Sequence, residues 1–157
     1  MTKIASTLHF VLVHGVGGGS WCWYKIRCLM ENSGYKVSCI DLKSAGIDPS
    51  DPNKVLKFED YNQPLVDFLS TIPDHDKIIL VGHSAGGLSL THAILKFGKK
   101  IHLAIFIAAT MLRLGFWTEQ DVKDFFFFLD GQLELVPYRK FLSFYKWVTA
   151  VVTVELK

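Results

Sequence analysis

Ile78-Ile79-Leu80-Val81-Gly82-His83-Ser84-Ala85-Gly86-Gly87 is the stretch that decides the fold. Four aliphatic residues make a short buried strand, and the run Gly87 to Phe97, closed by Gly98, reads as a helix. Between them lies G-x-S-x-G, in the strand–turn–helix context that a nucleophile elbow requires. Such a turn is sharp enough to strain the serine backbone, so small residues must flank it, and Gly82 and Gly86 supply them. It presents the Ser84 hydroxyl at the C-terminal edge of a sheet, beside the positive end of the following helix.

Working outward, strands alternate with helices. Leu8 to Val13 is a β-branched and aromatic run stopped by His14-Gly15, a helix is expected over about Trp23 to Ser33 with Gly34 at its C′ position, and Tyr35 to Ile40 forms a second strand closed by Asp41. Lys43 to Lys57 is rich in Ser, Asp, Pro and Gly and reads as loop. Asp60 is expected to cap a helix over Tyr61 to Ile72, with Pro64 tolerated in its first turn. Lys77 to Val81 and Ile101 to Ile107 complete four strands, and Thr118 looks like a further helix start. The alternation argues for an α/β fold, a mostly parallel sheet with helices on both faces. From Phe125 to Phe128 the amphipathic period is lost. The tail to Lys157 leaves room for a helix around Tyr138 to Trp147 and a strand from Val148 to Val154. The expected division is therefore 1–124 and 125–157.

Composition narrows the function. The chain has 157 residues, half of them apolar, and a formal charge of only +2, with Lys and Arg scattered. That suits a globular domain and gives no footprint for nucleic acid. Cys22, Cys28 and Cys39 lack metal-ligand spacing or a disulfide framework, so reduced thiols in the cytosol and no metal are expected. No run approaches the roughly 18 apolar residues of a membrane span, and the N-terminus does not read as a signal peptide.

The chemistry centres on two loops. An acyl-transfer oxyanion needs two fixed backbone N–H donors, each worth roughly 3 kcal/mol in the transition state. The elbow offers Ala85, and the loop His14-Gly15-Val16-Gly17-Gly18-Gly19 offers Val16. Gly15 and His83 flank these positions as candidate substrate contacts. His14, which precedes the glycines, is expected to shape the loop. Gly15-x-Gly17 followed by Asp41 imitates a dinucleotide fingerprint, but Ser20 replaces its third glycine.

These residues carry a resemblance. His9 to Tyr24 (HFVLVHGVGGGSWCWY), Cys39 to Leu42 (CIDL), Tyr61 to Leu65 (YNQPL) and Val81 to Leu88 (VGHSAGGL) resemble the plant methylesterase family of α/β-hydrolases, which also contains hydroxynitrile lyases. Ser20 to Cys28 is most similar to members that hydrolyse methyl indole-3-acetate. The resemblance implies a cytosolic, cofactor-free carboxylesterase acting on small methyl esters of plant hormone acids, methyl jasmonate and methyl salicylate being the other candidates. It makes Ser84 the nucleophile and Val16 and Ala85 the oxyanion donors. Gly15 stands where the lyases hold a hydroxyl residue and Ala85 where they often hold Cys, and both favour the esterase branch.

The family order Ser, Asp or Glu, then His leaves only His92 and His102 after Ser84. His92 lies two helical turns on, roughly 12 Å away by the helix rise, and His102 starts a strand at the far end of the sheet. From Phe125 the resemblance ends. The expectation is an incomplete α/β-hydrolase fold, C-terminally truncated, whose divergent tail replaces the cap and C-terminal core. Without a general base, the serine is a weak nucleophile. A catalytically dead isoform, acting as a small-ligand binder or a partner of full-length subunits, is the alternative, and a hydroxynitrile lyase is a third. A homo-oligomer is compatible with all three. The Ile101 to Ile107 strand would form a bare sheet edge unless Val148 to Val154 or a partner covers it.

Overall fold

A computed structural model of the chain describes residues 8–111 and 151–156. The elements run β1 (His9–Val13), α1 (Tyr24–Asn32), β2 (Lys36–Ile40), α2 (Phe58–Thr71), β3 (Ile78–His83), α3 (Gly86–Phe97), β4 (Ile101–Ile107) and β5 (Val151–Glu155). Short 3₁₀ turns precede α1 at Ser20–Trp23 and α2 at Pro52–Lys54. The sheet order is β2-β1-β3-β4-β5. The first four strands are parallel, with Val13 level with both Ile40 and Gly82, while β5 runs antiparallel to β4. The chain steps from β1 to β2 on one side and returns to β3 on the other. That reversal is the topological switch point beside which open α/β sheets bind ligands. Both the glycine loop and Ser84 leave the sheet there.

Two apolar layers follow from the two-residue period of the strands. Val11, Val13 and Leu80 join Leu65, Leu69 and Leu90 under α2 and α3. Leu12, Val37, Ile79 and Val81 form the opposite layer, against which Trp23 and Met30 pack. Helices therefore cover both faces, as expected. Each buried leucine of the first layer contributes roughly 2–3 kcal/mol of transfer free energy. Among the described residues, no helix is long and apolar enough to cross a membrane.

The C-terminal end of α1 follows its sequence signal. Gly34 adopts φ 88°, and the amides of Gly34 and Tyr35 bond back to Glu31 and Met30, a Schellman closure. Helix α2 departs from expectation. It starts at Phe58 with Lys57 at the N-cap, so Asp60 does not cap it but joins Glu59 in the first turn, where both carboxylates face the positive end of the helix dipole. Pro64 consequently sits inside the helix, where it deletes one amide donor.

Strand β5 covers β4, with Val151 opposite Ile107 and Glu155 opposite Leu103. The edge that the sequence exposes is thus paired within the chain, and Val154 packs onto the main core. The strand expected from Val148 is described from Val151 onward. The boundary at 124/125, the helix start at Thr118 and the helix over Tyr138 to Trp147 lie outside the described residues.

Candidate active site

Ser84 is exposed at the end of β3 and carries φ 55°. A left-handed serine costs about 1–3 kcal/mol and persists only when its surroundings over-determine it. Here they do. Its amide donates to the Ile107 carbonyl at 3.3 Å, and its own carbonyl accepts from Gly87 at 3.1 Å and from Thr110 at 3.0 Å. The flanking glycines are needed for space. A Cβ on Gly82 would stand 2.6 Å from Leu90 Cδ1, and one on Gly86 would stand 2.6 Å from the His14 carbonyl.

The glycine loop lies directly against the serine. A Cβ on Gly15 would meet Ser84 Cβ at 2.8 Å and Oγ at 3.3 Å. The Gly15 carbonyl accepts from His14 Nδ1 at 2.7 Å and from the Gly18 amide at 3.2 Å. The Leu42 amide donates to His14 Nε2 at 3.2 Å, so the ring's N–H must lie on Nδ1, where the Gly15 carbonyl receives it. His14 is 1% exposed. It shapes the loop, as its place before the glycines suggests.

Planarity of the peptide converts these bonds into donor geometry. The N–H of a trans peptide points opposite to its carbonyl. The carbonyls of Gly15 and Ser84 each accept two hydrogen bonds, so the N–H groups of Val16 and Ala85 are aimed away from those partners and held there. Neither amide makes a hydrogen bond among the described residues. Both residues line a hollow of about 250 Å³, whose other wall is Leu42, Phe58, Tyr61 and Leu88. Burial pushes the Tyr61 phenol up from its ordinary value, so it stays protonated near neutral pH. The structure therefore brings Ser84, Gly15, Val16 and Ala85 together. His83 is exposed beside Ser84, its ring edge-on to Trp23 at 6.4 Å between centroids.

The other histidines stand apart. His92 packs edge-on against Phe58 at 6.1 Å, and His102 is exposed at the N-terminal end of β4, opposite the elbow. Ser84 Oγ has no hydrogen-bond partner among the described residues. Asp41 does not stand free as a ribose ligand would. Its carboxylate accepts from the Ser20 amide at 2.6 Å and from the Ser20 hydroxyl at 2.8 Å. Sequence reading did not foresee this contact, nor the apolar wall. Tyr61 lies in the YNQPL stretch, but its spacing along the chain gives no sign that it faces the glycine loop. The three cysteines are free thiols, and among the described residues no cluster of His, Cys, Asp or Glu has the arrangement of a metal site.

A mostly parallel, doubly wound sheet with a strained serine at its switch point defines an α/β-hydrolase architecture. The pattern of the alpha/beta hydrolase family matches residues 10–154. Methylesterase 17 of Arabidopsis thaliana is 63% identical over 116 residues, which make up 74% of this chain and 42% of that protein. A solved methylesterase from Arabidopsis superposes with a TM-score of 0.66 at 49% identity, covering 68% of this chain and 45% of that one. Tomato methylketone synthase I, complexed with 2-tridecanone, superposes with a TM-score of 0.75 at 39% identity, covering 84% and 52%. The chain belongs to the alpha/beta hydrolase family, and its relatives there include plant methylesterases. It spans less than half the length of the curated relatives it matches.

Proposed function

We propose that this is a carboxylesterase of the methylesterase type, cofactor-free and cytosolic, with methyl indole-3-acetate its first candidate substrate and methyl jasmonate or methyl salicylate next. Ser84 attacks the ester carbonyl and releases methanol, and water then frees the acid from the acyl-enzyme. The Val16 and Ala85 amides bind the oxyanion. The observation that carries this reading is the pair of N–H groups, without a partner among the described residues, beside an exposed, strained serine. The relatives named methylesterases support the ester as substrate, and the apolar wall of the hollow suits the body of a small hydrophobic acid.

One observation favours a second reading, a non-catalytic ligand binder or partner subunit. Among the described residues no imidazole reaches Ser84 Oγ, and an unassisted serine hydroxyl is a weak nucleophile. Comparing purified chain with Ser84→Ala on methyl indole-3-acetate separates the two. Methanol release by the parent and none by the variant is the esterase result. Equal rates from both, or none from either, would leave the binder.

A further inference from the structure

Consecutive residues at the end of β2 grip both ends of the glycine loop. At its start, the Leu42 amide donates to His14 Nε2 at 3.2 Å. At its end, the Asp41 carboxylate accepts the Ser20 amide at 2.6 Å and the Ser20 hydroxyl at 2.8 Å. Gly19 and Gly46 close around that carboxylate. A Cβ on Gly19 would stand 2.9 Å from Asp41 Oδ1 and 2.5 Å from Gly46 Cα, and one on Gly46 would overlap the carboxylate itself. Gly46 has φ 61°, which a side chain tolerates poorly. Between the two anchors lies Gly15, whose backbone rests on Ser84.

We propose that Asp41 is a positioning residue of the acyl-transfer site: through Ser20 it clamps the glycine loop so that the Val16 amide stays aimed beside Ser84. This rests on the esterase reading of Ser84. It also accounts for the acidic residue that makes the loop imitate a dinucleotide site. The carboxylate is turned onto the chain's own serine, each oxygen accepting a bond from Ser20, rather than toward a ribose. Aim matters more than attachment, because an oxyanion donor acts only when it is fixed at hydrogen-bond distance before charge develops. A loosened loop still binds substrate through the apolar wall but loses transition-state contacts. Asp41 therefore governs kcat and leaves KM alone.

The test uses the full chain with Asp41→Ala, Asp41→Asn and Ser20→Ala, assayed on p-nitrophenyl acetate. Asp41→Ala is expected to lower kcat tenfold or more with KM unchanged. Ser20→Ala, which keeps the amide contact, is expected to lose less. Asparagine offers one acceptor and one donor to a serine that has both, so Asp41→Asn is expected to recover at least a third of the parent kcat. Amide exchange by NMR is read alongside, with Gly18 and Leu42 exchanging faster in Asp41→Ala while β1 and β3 amides stay protected. Parent-like kcat in Asp41→Ala, a change confined to KM, or an Asp41→Asn defect equal to that of alanine would overturn the proposal. If the parent chain itself fails to turn over, the esterase reading falls, and the exchange of Gly18 and Leu42 alone decides whether Asp41 is the clamp.

Discussion

A methyl group at position 15 would have to share space with Ser84. The 2.8 Å approach of a Gly15 Cβ to Ser84 Cβ lies well inside van der Waals contact, and both partners are backbone-fixed. Gly15→Ala is therefore expected to push the loop off the elbow. The cost is about 1–3 kcal/mol of stability from overpacking, and the rate of ester hydrolysis should fall tenfold or more. Chemical denaturation and p-nitrophenyl acetate kinetics check the two effects separately. A fully active Gly15→Ala chain would mean that the loop does not rest on the serine. At this scale the candidate site is partly legible in the sequence. G-x-S-x-G places a serine on a strained turn through local sterics alone, and a glycine run after a strand signals close backbone approach. The Asp41–Ser20 bond spans 21 residues of sequence, and no local pattern records it. The replacement of the third glycine by a hydroxyl residue was its one trace.

Elements were legible where their punctuation is steric. Strands β1 to β4 are rich in aliphatic and β-branched residues, with Asp41, Lys77 and Lys100 marking some of their ends, and α1 ends at a glycine whose φ of 88° other residues resist. Nothing lies within 4 Å of a Cβ added there. Gly34→Ala thus isolates backbone strain and is expected to destabilise by about 1–2 kcal/mol with the site untouched. Thermal unfolding checks it, and an unchanged midpoint would contradict the Schellman closure. The start of α2 differs from the sequence expectation because Asp60 has the chemistry of a cap as well as that of a first-turn acid. The choice falls to the tertiary contact that lets the helix begin at Phe58. Strand β5 was legible as an apolar run, whereas its direction depends on pairing with β4. Val154→Asp would place a charge where β5 meets the core beside Ala104. It is expected to free the β4 edge and drive self-association, visible in sedimentation velocity. A monodisperse variant of parent stability would refute that role.

At the scale of the whole molecule, stability and chemistry respond to different groups. His9 is buried in β1, its Nε2 2.9 Å from Ser38 Oγ and its ring edge-on to Phe68. Burial first, and then the charge of Lys36, hold its pKa below the usual 6.5, against a smaller opposing pull from Asp76. The unfolded chain thus binds a proton at His9 before the folded one does. The stability His9 confers is complete above about pH 6.5 and is lost as pH falls from there toward the depressed folded value. Urea unfolding at pH 7.5 and pH 5 should show the decline, and His9→Gln should flatten it. An equally steep decline in that variant would assign the effect elsewhere. The proposed acyl chemistry instead depends on the switch point of the sheet, where β1 and β3 deliver Gly15 and Ser84 to one place. The expected serine and donor positions are legible in the sequence because they sit in local turns. The apolar wall is not, because Leu42, Phe58 and Leu88 come together only when β2, α2 and α3 pack. Labelling the purified chain with a fluorophosphonate probe, followed by peptide mapping, tests the proposed nucleophile most directly. A single adduct on Ser84, abolished in Ser84→Ala, is the expected result. No adduct, or one on another residue, would contradict it.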